Sequence, residues 1–173
     1  ALQRERAGGA IVVLWDPVAA AELHASSGTQ VSIRVGGRSS AAMGPPALVS
    51  GTVRRHGPVR YRRTGSYMTG AEVDMGRVAV VESEVGSVVV TENRIVPFDD
   101  DHLVVLGLAP RSARILVAKG AIAWKAAFGE YAATTVYVDG PGTCPVSLDA
   151  LDFAARPRPM YPFEPLTAWS AAL

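Results

Sequence analysis

Apolar residues come in short runs along this chain, and the spacing of the runs predicts alternating strands and short helices. The continuous run Ala10–Trp15 is typical of a buried strand. Asp16 and Pro17 follow as an N-cap and first-turn pair, so an alanine-rich helix is expected over residues 18–25, with Gly28 as its stop. The chain therefore opens with a strand that leads into a helix.

The middle of the chain changes to an alternating pattern that is typical of half-buried strands. Val31, Ile33 and Val35 alternate with polar residues and run into a turn at Gly36 and Gly37. Further strands are predicted over residues 47–53, 59–63, 78–82 and 85–91. Short strands at such close spacing predict an antiparallel or mixed sheet.

The last third of the chain predicts a β-α-β unit: a strand over residues 114–119, a helix over 122–131 and a final strand over 134–138. Ahead of it, the acidic run 99–101 is interpreted as the cap of a short helix, because its spacing lacks the alternating ligands of a calcium loop. The predicted fold is α+β, with a mixed, largely β sheet, short flanking helices and a C-terminal β-α-β unit. One domain is expected over residues 1–173.

Composition narrows the possible partners. The 173 residues are 49% hydrophobic, which is enough for a substantial core, and they carry a formal net charge of +1. This balance gives no electrostatic basis for a nucleic-acid or anionic-membrane partner. The apolar runs are too short to span a bilayer, and the first residues lack the layout of a signal peptide. The expected compartment is the cytoplasm.

Residues that could carry chemistry are few. The chain has three histidines, none paired at a spacing that brings ligands onto one metal ion, and it lacks the common nucleophile and phosphate-loop motifs. Cys144 is the single cysteine and is interpreted as packing. The basic residues at 54–56 and 60–63 have the donors to grip an anion, but we interpret them as a solvated hairpin. No catalytic residue and no metal ligand is predicted.

Several segments, taken in order, resemble the C-terminal domain of the microcystinase C family over most of the chain. The most specific is the stretch from Gly70 to Gly76, which is interpreted as a structural loop in which Asp74 accepts hydrogen bonds from backbone amides. The other segments are Trp15-Asp16-Pro17 and residues 28–37, 97–99, 114–119 and 158–162.

Members of this bacterial family are described as zinc-dependent hydrolases of peptides, including linearised microcystin, with the zinc ligands in a larger N-terminal domain. The resemblance implies that this chain is a fragment of such a metallopeptidase and holds no zinc. Its implied partners are the N-terminal catalytic domain of the same polypeptide, a peptide substrate and, in a homo-oligomer, a second copy. Its implied role is to shape the substrate cleft or an oligomer interface.

The chain departs from the family pattern after Lys119, where Ser, His and Arg usually follow and Gly120, Ala123 and Lys125 stand here. These replacements remove polar groups from the cleft. The side chains that we expect to face a substrate are Lys119, Lys125, Asp74 and Arg94. The departures also leave open a stand-alone binding or assembly module that kept the fold, and an enzyme that uses Cys144.

Overall fold

The computed structural model describes residues 1–26, 29–120, 122–140, 151–161 and 163–164. The strands and helices, in chain order, are β1 (Ala10–Trp15), α1 (Pro17–His24), β2 (Gln30–Val35), β3 (Ala47–Arg62), β4 (Glu72–Ser83), β5 (Gly86–Thr91), α2 (Asp101–Val104), β6 (Ile115–Val117) and α3 (Trp124–Phe128). The predicted stop at Gly28 and the residue Cys144 lie outside the described residues. The predicted α+β class, largely β with short helices, is confirmed.

The chain divides into two compact units, Ala1–Tyr137 and Val138–Leu173. The first unit contains all the strands and helices found among the described residues. In the second, the rings of Phe153 and Phe163 lie 4.8 Å apart, and Arg156 forms an ion pair with Glu164. That residues 1–173 form one domain stays a prediction.

One six-stranded mixed sheet organises the first unit, in the order β2-β3-β4-β5-β1-β6. Strand β1 runs parallel to both its neighbours, β5 and β6, while the pairs β2–β3, β3–β4 and β4–β5 are antiparallel. The register aligns Trp15 with Thr91, so β1 and β5 end at the same level. Their carboxyl ends therefore lie side by side at one edge of the sheet.

Each face of the sheet is covered by a separate hydrophobic cluster. Along β4, Ala79 and Val81 belong to the cluster beneath α1, whereas Val78 and Val80 belong to the cluster beneath α2 and α3. Successive side chains of a strand point to opposite faces, so this alternation places α1 on one side of the sheet and the other two helices on the opposite side. The sheet is the middle layer of the unit.

Two predicted strands, 47–53 and 59–63, are joined into the single strand β3. Gly57 and Pro58, which lie between the two predicted strands, pair with Val78 and Arg77 of β4. Strand β2 pairs only with residues 47–52 of β3, so Pro58 lies where no second neighbour needs its missing N–H. The register of the β3–β4 pairing shifts after Val53 and after Val59, and each shift is a bulge that accommodates an extra residue.

The predicted loop 70–76 is also partly a strand, because β4 begins at Glu72. Glu72 and Asp74 are exposed while Met75 is fully buried, the pattern of a half-buried strand. Gly76 keeps the positive φ (+65°) that a glycine tolerates best. The prediction that Asp74 accepts a backbone hydrogen bond is confirmed: its Oδ1 receives the N–H of Gly76 at 2.8 Å.

The C-terminal β-α-β unit is present only in part. Strand β6 and helix α3 form, although both are shorter than predicted, and Phe128 is buried with Trp124 packed beside it. The predicted last strand, 134–138, is wrong, since these residues form no strand in the described structure. Val136 is 79% exposed, so β propensity alone has not produced a strand without a neighbouring strand to pair with. No helix in the described parts of the chain is long and apolar enough to cross a membrane.

Candidate functional site

The carboxyl ends of β1 and β5 lie side by side, and the chain leaves them over opposite faces of the sheet. From β1 it passes through α1 to β2, and from β5 it passes through α2 to β6. Because β5 lies between β1 and β2 in the sheet order, and β1 lies between β5 and β6, the two connections cross on opposite faces. The carboxyl ends of parallel strands are a common place for ligands to bind.

Trp15, the last residue of β1, lines this edge together with Arg94. The indole Nε1 of Trp15 donates a hydrogen bond of 2.9 Å to the backbone carbonyl of Glu92, which fixes the ring beside the end of β5. The guanidinium carbon of Arg94 lies 4.0 Å from the centre of that ring, a cation–π contact. Arg94 itself is exposed. The pair thus presents a cationic group on a fixed aromatic platform.

A shallow groove of about 720 Å³ adjoins this pair. Its lining residues come from the paired segments of β3 and β4 and from the end of β5: Pro58, Arg60, Asp74, Gly76, Arg77, Glu92 and Asn93. Two arginine–carboxylate pairs cross it. Arg60 forms an ion pair of 2.8 Å with Asp74, and Arg77 donates hydrogen bonds to both carboxylate oxygens of Glu92, at 2.6 and 3.0 Å.

The electrostatics of the groove keep both acids ionised. The Arg77 side chain, helped by the Arg77 backbone N–H, lowers the pKa of Glu92 from 4.5 to about 2. The backbone N–H of Gly76 and then the Arg60 guanidinium lower the pKa of Asp74. A general acid or base works best when its pKa lies near the operating pH. These paired carboxylates are therefore poor proton-transfer groups, and their lone pairs are already engaged.

A second polar cluster is buried beneath α2. Arg63 donates a hydrogen bond of 2.8 Å to Asp99, and Thr64 donates its N–H and its hydroxyl to Asp101, at 2.6 and 2.8 Å. The capping prediction for the acidic run is wrong, since Asp100 holds the N-cap position without a side-chain cap bond. Two of these carboxylates instead fasten the loop that follows β3.

The solvated interpretation of the basic residues 60–63 is wrong for Arg63, whereas Arg60 and Arg62 are exposed. The Arg63 side chain is only 5% exposed. Burial raises the pKa of the neighbouring Tyr61 hydroxyl to about 12, and burial lowers the pKa of His102, whose Nδ1 has no partner in the described structure. These groups hold the core together and have no access to a substrate.

The structure brings together some of the predicted substrate-facing residues. Arg94 and Asp74 lie at the same edge, around the end of β5, and Lys119 follows β6, whose carboxyl end points the same way as those of β1 and β5. Lys125 lies apart from them, on α3, with its Nζ 5.9 Å from the Trp124 ring. Contact of any of them with a substrate stays a prediction.

Sequence reasoning missed Trp15, Arg77 and Glu92 as members of this site. Arg77 and Glu92 are separated along the chain and meet only because β4 and β5 pair antiparallel with Val78 opposite Thr91. No motif marks that pairing. Trp15 had a usable signal, because a large aromatic residue at the end of a buried strand lies where an open sheet forms its ligand crevice.

The residues that the structure describes do not fit a zinc ion. They include no group of three or more His, Cys, Asp or Glu side chains placed to share a metal. Asp74, Glu92 and Asp99 each form an ion pair with an arginine, and a bound metal would have to compete with that partner. We derive no metal-dependent step for this chain.

Comparison with known proteins identifies the family of this chain. The family described as MlrC C-terminus matches residues 1–155. Microcystinase C from a Sphingomonas species is 27% identical over 154 residues, which cover 88% of this chain and 29% of that protein. A crystal structure from Mesorhizobium sp. BNC1, described as that of a candidate metallopeptidase, has 28% identity and a TM-score of 0.76, covering 98% of this chain and 34% of that one.

The chain therefore spans about a third of the length of the relatives that it matches. The shared part includes the whole sheet, both flanking helical layers and the edge where β1 and β5 end. On the family match over residues 1–155, this chain belongs to the MlrC C-terminal domain family.

Proposed function

We propose that this chain is the C-terminal accessory domain of a microcystinase-C-like metallopeptidase and forms one wall of its peptide-binding cleft. In this proposal the chain has no activity of its own, and the zinc ion is held by the N-terminal domain of the same polypeptide. The edge formed by Trp15, Arg94 and the adjoining groove faces that domain.

The observation that carries the proposal is the chemistry of this edge. It combines an exposed arginine, an aromatic ring and two ion pairs, and this set suits recognition of a polar peptide. The lowered pKa values of Asp74 and Glu92 make these two carboxylates poor proton-transfer groups. The family match supports the same role, because its relatives are named as peptidases and are about three times as long.

The exposed segment 134–137 supports contact with further protein. Val136 is 79% and Tyr137 58% exposed, and the segment forms no strand in the described structure. An extended chain rich in β-branched residues readily adds to the edge of another sheet. The N-terminal domain or a second copy of this chain would supply that edge.

The test compares this chain with the product of the complete reading frame that encodes it. Both are assayed for hydrolysis of linear peptides and for zinc binding by calorimetry. The expected result is zinc-dependent turnover by the complete product, and neither turnover nor tight stoichiometric zinc binding by the 173-residue chain. Turnover by this chain alone would overturn the proposal.

A stand-alone binding or assembly module is the second candidate. It is favoured by the replacement of polar family residues with Gly120, Ala123 and Lys125, of which Lys125 is exposed on α3. If the complete reading frame encodes no domain upstream of Ala1, this second function replaces the first.

A further inference from the structure

We propose that Arg94, stacked on Trp15 at the carboxyl ends of β1 and β5, binds a free carboxylate group of the ligand. This inference rests on the proposed function and deepens it, since it names the chemical group that the cleft wall recognises. Lys119, beyond the end of β6, provides a second cation on the other side of β1.

The Arg94 guanidinium is already positioned before a ligand binds. Its carbon lies 4.0 Å from the centre of the Trp15 ring, and that ring is held by the hydrogen bond from its Nε1 to the Glu92 carbonyl. A guanidinium presents a planar fork of donors that matches both oxygens of a carboxylate. Because stacking restricts the side chain beforehand, less conformational entropy is lost when an anion binds.

The charged side chains at this edge are not all paired. Each of the two acids in the adjoining groove is taken by another arginine: Glu92 by Arg77 and Asp74 by Arg60. Within the described residues, Arg94 has no acidic partner, and neither does Lys119. The edge thus carries two uncompensated cations next to acids that are already neutralised, so an anionic group is the ligand that it lacks.

The backbone around Arg94 offers further hydrogen-bond donors. The N–H groups of Arg94, Ile95 and Val96 donate no hydrogen bond to any described residue. They lie in the loop just after β5. Backbone N–H groups at such a position add directional donors for an anion to the charge of the arginine.

The second cation is Lys119, which follows β6. Strands β5 and β6 flank β1 and lie about 10 Å apart across the sheet, and β6 ends opposite Val12 whereas β5 continues to the level of Trp15. Lys119 follows β6 by two residues and is exposed. At that separation it adds attraction for the anion without needing to touch the same oxygen atoms as Arg94.

The ligand class follows from this geometry and from the proposed peptidase context. A peptide supplies a carboxylate at its C-terminus or on an acidic side chain, and the aromatic face of Trp15 provides an apolar surface beside the bound group. Phosphate oxygens are chemically similar acceptors for arginine, so the experiment has to separate the two anions.

The experiment is an NMR titration of the ¹⁵N-labelled chain, followed through the indole N–H resonance of Trp15. The probes are N-acetyl-trialanine with a free carboxylate, the same peptide amidated at its C-terminus, and inorganic phosphate. The free acid is expected to shift the resonance saturably and to bind about tenfold more tightly than the amide, because the amide lacks the charged acceptor. Equal binding of acid and amide, or tighter binding of phosphate, would overturn the inference.

Variants locate the site. Arg94→Gln is expected to weaken binding of the free acid about tenfold, and Arg94→Lys to weaken it less, because lysine keeps the charge and loses the fork. Arg54→Gln is the matched control: Arg54 pairs with Glu82, which contacts Ser87 near the other end of β5, and its loss should leave binding unchanged. Binding unaffected by Arg94→Gln contradicts the assignment.

The two proposals fail separately. If the free acid does not bind at this edge while the complete gene product still hydrolyses peptides, the carboxylate site is wrong and the accessory role stands. If the free acid binds as expected while the chain alone hydrolyses peptides, the accessory role is wrong and the carboxylate site stands.

Discussion

The Arg63 guanidinium donates a hydrogen bond of 2.8 Å to Asp99, and the two side chains are only 5% and 4% exposed. Arg63 also donates to the Val96 carbonyl and lies 4.9 Å from the centre of the Phe98 ring. The pair thus joins the end of β3 to the segment before α2. Removing one partner of such a pair leaves the other charge buried without compensation.

We expect Arg63→Gln to lower the free energy of unfolding by about 3 kcal/mol, because Asp99 would stay buried without its counter-charge. Urea denaturation followed by circular dichroism measures the change. Arg54→Gln breaks the exposed pair with Glu82 and should cost less than about 1 kcal/mol. Similar losses in the two variants would contradict the buried role of Arg63.

The carboxylate of Asp16 accepts hydrogen bonds from both the start of α1 and the residue after β2. Its Oδ1 accepts the N–H of Ala19 at 3.0 Å, its Oδ2 accepts the N–H of Gly36 at 2.8 Å, and Arg38 forms an ion pair with it. Asp16 is 2% exposed, so these donors would have few alternative partners without it.

We expect Asp16→Ala to destabilise the fold by about 3 kcal/mol, the combined effect of a lost helix cap and an unpaired buried N–H. Asp16→Asn should fall between this variant and the parent, since an amide offers one acceptor oxygen instead of two. Thermal unfolding provides the ranking. An Asn variant as unstable as the Ala variant would mean that the cap contributes little.

The Arg77–Glu92 pair makes a prediction about acid titration. The pKa of Glu92 is lowered to about 2 in the folded chain, below its ordinary value of 4.5, so its stabilising effect is present above pH 4.5 and is lost as the pH falls toward 2. NMR titration of the Glu92 carboxyl carbon should give a midpoint near pH 2. In Arg77→Gln the midpoint should return toward 4.5, and an unchanged midpoint would rule out Arg77 as the main cause.

His102 makes a prediction at milder pH. Burial lowers its pKa below 6.5 in the folded chain, despite the opposing influence of Asp99 and Asp100; Arg63 acts in the same direction as burial. The unfolded chain therefore takes up this proton first, and stability is lost as the pH falls below about 6.5.

Urea denaturation between about pH 7.5 and pH 5 measures this loss. His102→Leu should give a flatter dependence than the parent chain. If His102→Leu retains the full dependence of the unfolding free energy on pH, another group is responsible.

The sequence predicts the strands and helices best where burial repeats at a fixed period. Strand β1 was predicted over its observed range, and the cap at Asp16 was predicted from the residue types that follow a strand. Errors arise where long-range pairing decides the outcome. Gly57 and Pro58 are tolerated in β3 because β4 is their neighbour, and residues 134–138 form no strand because they have none.

The candidate site shows the same division. Arg94, Asp74 and Lys119 were named from the sequence, but nothing in the sequence indicates that Arg94 stacks on Trp15 or that Arg77 neutralises Glu92. Those contacts depend on the order and register of β4, β5 and β1, which bring together residues far apart along the chain.

The sequence by itself determined the α+β character and the family resemblance, because these depend on local residue patterns and ordered motifs. Only the tertiary structure decided which charges are paired and which are left for a ligand, because charge pairing depends on distances of a few ångströms between separate strands.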